Sequence, residues 1–379
     1  MLLYPTVVLA LEPVYGLPYD ELVALALPGF VLFGAGALPA GWLGDRWSSA
    51  GMMAVFFLGT GCGAMLTGIA RTPIEISVGL GLIGLFASIY HPVGIAWLVR
   101  GVSNPGRALG INGVFGSMGT AGGALVAGGL TDALGWRAAF LVPGALCVAT
   151  GIAFLWALRR PADAAPLVAA RATERAGSGR HLRQVFALLA FTTIMIGLIY
   201  QSTAVGLPKL LSERFEGLAA DGMLGIGLLV AVVYVAAGIA QIFGGELADR
   251  LDLKRIYALG LLAGVPLALA AFAAGQLWFV AAAAALMAVQ AMVMPAENSL
   301  LARYTPLEWR ARAFGVKFLL TLGVSSAGVA MVPLLHRLTG SLDSLFLLVA
   351  VMTAAAGVAA LRLPHHTSTT GQVQTVASA

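Results

Sequence analysis

A charged or amide side chain inside an apolar helix is costly to place, so each one that interrupts a long apolar run is a candidate for chemistry. Tyr90 and His91 precede Pro92 and lie about nine residues before Arg100, roughly 14 Å from that end of a helix rising about 1.5 Å per residue. Histidine titrates near neutral pH and can carry a proton or bind a solute; the alternative is a histidine bonded to a helix backbone purely for packing. Pro92 removes a backbone donor and leaves a carbonyl free as a further ligand. Glu297 and Asn298 come six residues before Arg303, and Lys317 comes five after Arg312, so a carboxylate and an ammonium share a depth on consecutive runs. Such a pair tolerates burial that neither charge would tolerate alone. Glu297 can exchange a proton and Lys317 can attract an anion; the alternative is a static pair bracing the helices. Gln201, Tyr234 and Gln290, with Tyr200 and Gln241, are hydrogen-bonding groups available to a solute or to a neighbouring helix. No metal-ligand spacing or cofactor motif accompanies them, and Cys62 and Cys147 sit in apolar runs as small packing residues.

The elements that must position these groups follow from composition. Of 379 residues, 59% are hydrophobic and 10% charged, and the mean hydropathy is +0.92. One soluble core cannot hide that surplus behind a polar exterior. Lipid as solvent demands internally bonded backbone, and the continuous apolar runs lack the alternation of barrel strands. The expected class is an all-α polytopic membrane protein. A span needs about 20 apolar residues, and runs near 22–43, 50–70, 76–99, 108–131, 137–157, 184–206, 222–247, 256–274, 277–300, 313–335 and 343–361 qualify. Met1–Leu11 is too short to cross alone. Of the 22 Lys and Arg residues, sixteen fall on one side of this count, which predicts the 44–49 loop, the 159–183 segment and the C-terminal tail in the cytoplasm. The net charge of +5 is thereby explained by topology, without nucleic acid.

The chain repeats itself. GWLGDRW (41–47) matches GELADRL (245–251), HPVGIAWLVR (91–100) matches MPAENSLLAR (294–303), and GRALGIN (106–112) matches ARAFGVK (311–317), at separations of 204, 203 and 205. Gly41, Asp45 and Arg46 thus fall on Gly245, Asp249 and Arg250; Arg100 on Arg303; Arg107 on Arg312. The mates of Glu297 and Lys317 are Gly94 and Asn112, so the charges belong to the second half alone. Two parallel six-span repeats form a transporter architecture with its site between the halves. Twelve spans are expected, with Leu3-Tyr4 aligned to Ile199-Tyr200 and roughly 13 residues of the first helix missing from a length of about 20; the alternative is that Met1 is the true start and the first helix partial or re-entrant. The expected domains are 1–158, a six-helix bundle; 159–183, a cytoplasmic linker; 184–363, a second bundle; and 364–379, a disordered tail.

With its two copies of Gly-x-Leu-(Ala/Gly)-Asp-Arg, one carrying Glu246 at the variable position, and Gly135-Trp136-Arg137 before the sixth span, the chain resembles the major facilitator superfamily over its whole length. The resemblance implies the fold of that superfamily and a cytoplasmic gate at the repeated Asp–Arg pairs. Tyr90-His91-Pro92 is similar to fosmidomycin-resistance-type exporters. Two exporter features are absent: Leu80 stands where proton-linked exporters often carry arginine, and the glycine-rich fifth span lacks the proline of the antiporter signature.

No phosphate-binding loop of the GxxxxGK[ST] form occurs, so a gradient is the expected energy source. An apolar site with few polar groups suits an amphipathic organic solute better than a sugar. The expectation is an inner- or plasma-membrane secondary transporter, monomeric, neither an enzyme nor a cofactor protein. It would export a drug-like compound with protons as the coupling ion. Uptake of an organic anion recruited by Lys317 is the alternative. A transporter-like receptor or assembly factor is the alternative of another class.

Overall fold

A computed structural model of the chain describes residues 3–100, 105–159, 179–217, 221–305 and 310–364. Among these the regular structure is helical, and nine helices are long and apolar enough to cross a membrane. We number twelve helical elements. The first, α1 (4–15), is three short pieces, Tyr4–Val7, Val8–Ala10 and Glu12–Tyr15. It runs past the expected Leu11 and stops where Gly16 turns left-handed at φ 64°. In α2 (19–46), Tyr19–Ala24, Leu27–Ala35 and Ala37–Arg46 follow one another. The remainder of the first half is α3 (Ser49–Ile69), α4 (73–100), α5 (Pro105–Leu134) and α6 (Ala138–Leu158). The second half is α7 (Gly179–Arg214), α8 (Met223–Arg250), α9 (Leu253–Ala273), α10 (Gln276–Tyr304), α11 (310–339) and α12 (Leu345–Leu361). Among the described residues of the 159–183 segment, Arg159 ends α6 and residues 179–183 open α7; 160–178 and the tail from 365 lie outside the description.

Local signals explain the boundaries. The side chains of Ser48, Thr72 and Asp252 accept bonds from the N–H groups of Gly51, Glu75 and Arg255, capping α3, α4 and α9. Glu75 also accepts from Arg71 N–H at 2.8 Å, so Thr72 and Glu75 together satisfy donors at the start of α4. Gly135 and Gly340, related by the repeat, take positive φ of 86° and 73° just after α5 and α11. Both signature copies lie inside the last turns of α2 and α8, which run to Arg46 and Arg250, further than the apolar runs alone predict.

The repeat is visible in the packing. In the first half α2 packs on α4, α3 on α4 and α6, and α1 on α5; in the second, α8 packs on α10, α9 on α10 and α12, and α7 on α11. Between halves, α5 packs on α8 and α2 on α11, with α1 against α7. Glycine permits the closest approaches: a Cβ on Gly84 of α4 would stand 1.9 Å from the Gly29 carbonyl of α2, and one on Gly244 of α8 would stand 2.2 Å from that of Met292 on α10. The backbones themselves are in contact there.

Candidate functional site

The predicted pairing of Glu297 with Lys317 is realised across α10 and α11. Lys317 Nζ donates to Glu297 Oε2 at 2.9 Å and to the Asn298 side-chain oxygen at 2.5 Å. The other carboxylate oxygen accepts from Thr193 Oγ1 of α7 at 2.6 Å. Glu297 is 3% exposed and Lys317 8%. Three helices of one half therefore converge on one desolvated carboxylate whose oxygens are both bonded. Pro295 lies two residues before Glu297, inside α10. Thr193 was not singled out by sequence; a hydroxyl in an apolar run is too common a signal to mark it.

In the first half, Tyr90 donates its hydroxyl to the side-chain oxygen of Asn112. This bond ties α4 to α5 as the ion pair ties α10 to α11, with Asn112 standing at the position of Lys317. The two halves thus share a cross-link in different chemistry, neutral in one and ionic in the other. Tyr90 and His91 belong to a π-helical turn, Tyr90–Gly94, where α4 carries an extra residue. The His91 ring stacks on Phe318 of α11 at 5.1 Å between centroids and lies 5.9 Å from Phe33 of α2. Its buried Nδ1 has no hydrogen-bond partner. Phe318 follows Lys317 directly, so one turn of α11 touches both candidate sites.

Nearer the middle of the bundle, Tyr200 of α7 lies 3.5 Å, oxygen to oxygen, from Thr120 of α5 in the other half. It meets Tyr234 edge-on at 6.3 Å. The Tyr234 hydroxyl and Gln290 Nε2 are buried without partners, which leaves donors for a solute. Gln201 is buried against Gly328 of α11, a packing position. Gln241 accepts from Ser117 across the α5–α8 seam at 3.2 Å.

At the signature ends, Arg46 stacks over Trp42 at 4.4 Å and Arg250 pairs with Glu246 at 2.6 Å, each on its own helix. Gly41 lets α2 approach Pro92, while Gly245 faces open space. Arg303 is exposed. The side chains of Asp45, Asp249, Arg100, Arg107 and Arg312 lie outside the described residues. Among the described residues no group of three or more His, Cys, Asp or Glu side chains converges as a metal site would require.

With this geometry in place, comparison with known proteins is decisive for the family. The family model of the Major Facilitator Superfamily matches residues 1–224 and again residues 189–376. The chain belongs to the major facilitator superfamily. Two solved structures of that size share its fold. One, a D-xylose-proton symporter, has a TM-score of 0.70 at 15% identity and covers 96% of this chain and 95% of its own. The other, a bacterial homologue of the human lysosomal transporter Spinster in an inward-facing and occupied conformation, has a TM-score of 0.65 at 14% identity and covers 95% and 90%. No curated protein matches the chain. As a member of the superfamily the chain is a multi-pass membrane transporter and not an enzyme.

Proposed function

We propose that this superfamily member is a proton-linked secondary exporter of an amphipathic organic solute, working by alternating access between its halves. The observation that carries the reading is the buried Glu297 carboxylate, held by Lys317 and Thr193 and without a charged counterpart in the first half. A static brace required by both halves would be expected in both; a coupling group is needed once. Lys317 commits two of its three donors to Glu297 and Asn298, which argues against an anion held there. The neutral groups around Tyr200, Tyr234 and Gln290 suit a solute with aromatic surface and a hydrogen-bond acceptor.

In this reading 1–158 and 184–363 are the moving bundles of a monomer in the cell membrane, with the 159–183 linker and the tail cytoplasmic, a sidedness that the arginine bias supports. Expression in a bacterial host lacking its major efflux pumps, with growth inhibition measured across a diverse compound panel, tests it. Resistance to particular compounds that is lost in Glu297→Gln is expected. Increased sensitivity would reverse the direction to uptake, and no shift with verified membrane insertion would overturn drug export.

A further inference from the structure

The halves also meet at the end of the bundle where α5 and α11 finish and α2 and α8 begin. There the carboxylate of Asp132, two residues before the end of α5, accepts from the backbone N–H groups of Met223 (2.7 Å) and Leu224 (2.6 Å) at the start of α8. Those donors have no partner within their own helix, and the carboxylate also faces the positive end of the α8 dipole. Gly222, at φ 132°, is required twice: a side chain would be strained there, and a Cβ would stand 2.6 Å from an Asp132 carboxylate oxygen. Along the same seam a Cβ on Gly128 would stand 2.4 Å from the Met223 carbonyl, and one on Gly227 would stand 2.5 Å from that of Ala124. Helices α5 and α8 therefore touch backbone to backbone beneath the cap.

The second contact lies at the α2–α11 seam, where Arg337 is ion-paired with Asp20. Under the repeat Asp132 falls on Arg337, at a separation of 205, and Asp20 falls on Leu224, at 204. The two contacts are therefore mates. Their polarity is reversed: in one an anion at the end of α5 meets backbone donors at the start of α8, and in the other a cation at the end of α11 meets an anion at the start of α2. Around the second contact Tyr19 donates to the Val205 carbonyl at 3.4 Å, and Lys209 pairs with Glu12 at 3.5 Å, also from half to half.

We propose that Asp132 with the α8 N-terminus, and Asp20 with Arg337, are a matched pair of latches that set how often this end of the transporter opens. Separating the halves here breaks both contacts. Because they lie on different seams and opening breaks both, their free energies add, and their effects on the open-to-closed ratio multiply. The inference rests on the alternating-access reading, but its test needs neither substrate nor flux.

Ile74 at the start of α4 and Leu277 at the start of α10 are repeat mates at this end, 75% and 72% exposed. Spin labels on Ile74→Cys and Leu277→Cys, in a background with Cys62→Ser and Cys147→Ser, report the distance between halves in lipid nanodiscs by pulsed electron paramagnetic resonance. Asp132→Ala and Arg337→Ala are each expected to raise the ratio of long to short distances about tenfold, and the double variant about a hundredfold. Asp132→Asn, which keeps an acceptor and protects the fold, is expected to give a smaller rise in the same direction. Unchanged distributions in Asp132→Asn and in the double variant would overturn the proposal. An equal rise from Glu246→Ala, whose pair with Arg250 lies within one helix, would also overturn it. Normal flux with unmoved distances would sink the latches alone; absent flux with latch-dependent distances would sink only the transport reading.

Discussion

Glu297 and Lys317 face each other at 2.9 Å from consecutive helices, almost wholly removed from solvent. Removing one member of such a pair strands the other charge, whereas replacing both by apolar groups removes the desolvation cost as well. Glu297→Gln and Lys317→Met are each expected to lower stability by about 3–5 kcal/mol relative to the parent. Glu297→Leu with Lys317→Met together should recover most of it. Thermal unfolding of the purified protein measures this, and solute flux should be lost in all three variants. A double variant as unstable as the worse single one would show that the pair is not the unit.

Thr193 supplies the third contact on that carboxylate. Thr193→Val keeps the shape and removes the donor, at an expected loss of about 1.5–3 kcal/mol for a bond to a charged group. The same substitution made with Glu297→Leu already present should cost far less. A double-mutant cycle read by thermal unfolding decides between them, and additivity would mean that Thr193 acts elsewhere.

Tyr90→Phe leaves the Asn112 side-chain oxygen without its donor. The expected penalty is about 0.5–1.5 kcal/mol for the loss of a half-buried hydrogen bond, with membrane insertion intact. Comparable stability of Tyr90→Phe and the parent would mean that Asn112 finds another partner.

Gly84→Ala is expected to be the most damaging single methyl group in the first half. The added Cβ meets the Gly29 carbonyl far inside van der Waals contact, and backbone cannot move aside as a side chain can. Overpacking of this kind costs about 1–3 kcal/mol or more. Gly116→Ala, whose Cβ would have nothing within 4 Å, is the control and should be neutral. Yield of monodisperse protein and unfolding temperature read both.

Much of this architecture was legible in the residues because lipid leaves few alternatives. Apolar runs located the long helices, and the repeated Asp-Arg and Arg positions located the halves before any packing was known. The Glu297–Lys317 pair was legible because charge in such a run demands a partner at the same depth. Three things were not. The α2 and α8 ends extend through their polar signatures, since helix hydrogen bonding does not stop where hydrophobicity does. Thr193 carried no distinguishing signal among many hydroxyls. Asp132 and Arg337 sit at helix ends, where charges are ordinary and carry no distinguishing signal, and only the seam geometry shows that Asp132 reaches across to backbone donors of the other half.

The π-turn of α11, Leu319–Gly323, gives the halves different phases. A π-turn winds less per residue than the about 100° of an α-helix, and the 3-10 turn Val324–Ser326 that follows winds more, so the faces before and after this stretch are set differently from those of a continuous α-helix. Before that turn α11 presents Lys317 to α10 of its own half; at its far side Gly323 meets Gly34 of α2 in the other half, with a Cβ on Gly323 standing 3.4 Å from the Gly34 Cα. The repeat mate of α11, α5, runs as uninterrupted α-helix, and the π-turn in α4 likewise has no counterpart in α10. A one-residue deletion within Leu319–Gly323 would therefore uncouple two surfaces that are each intact, aiming either the ammonium or the seam the wrong way. Duplicated halves can in this manner diverge by local winding at a constant residue count: the repeat separation is 205 at Asn112 and Lys317 before the turn and still 205 at Asp132 and Arg337 beyond it, yet the faces on either side are redirected without altering any side chain on them.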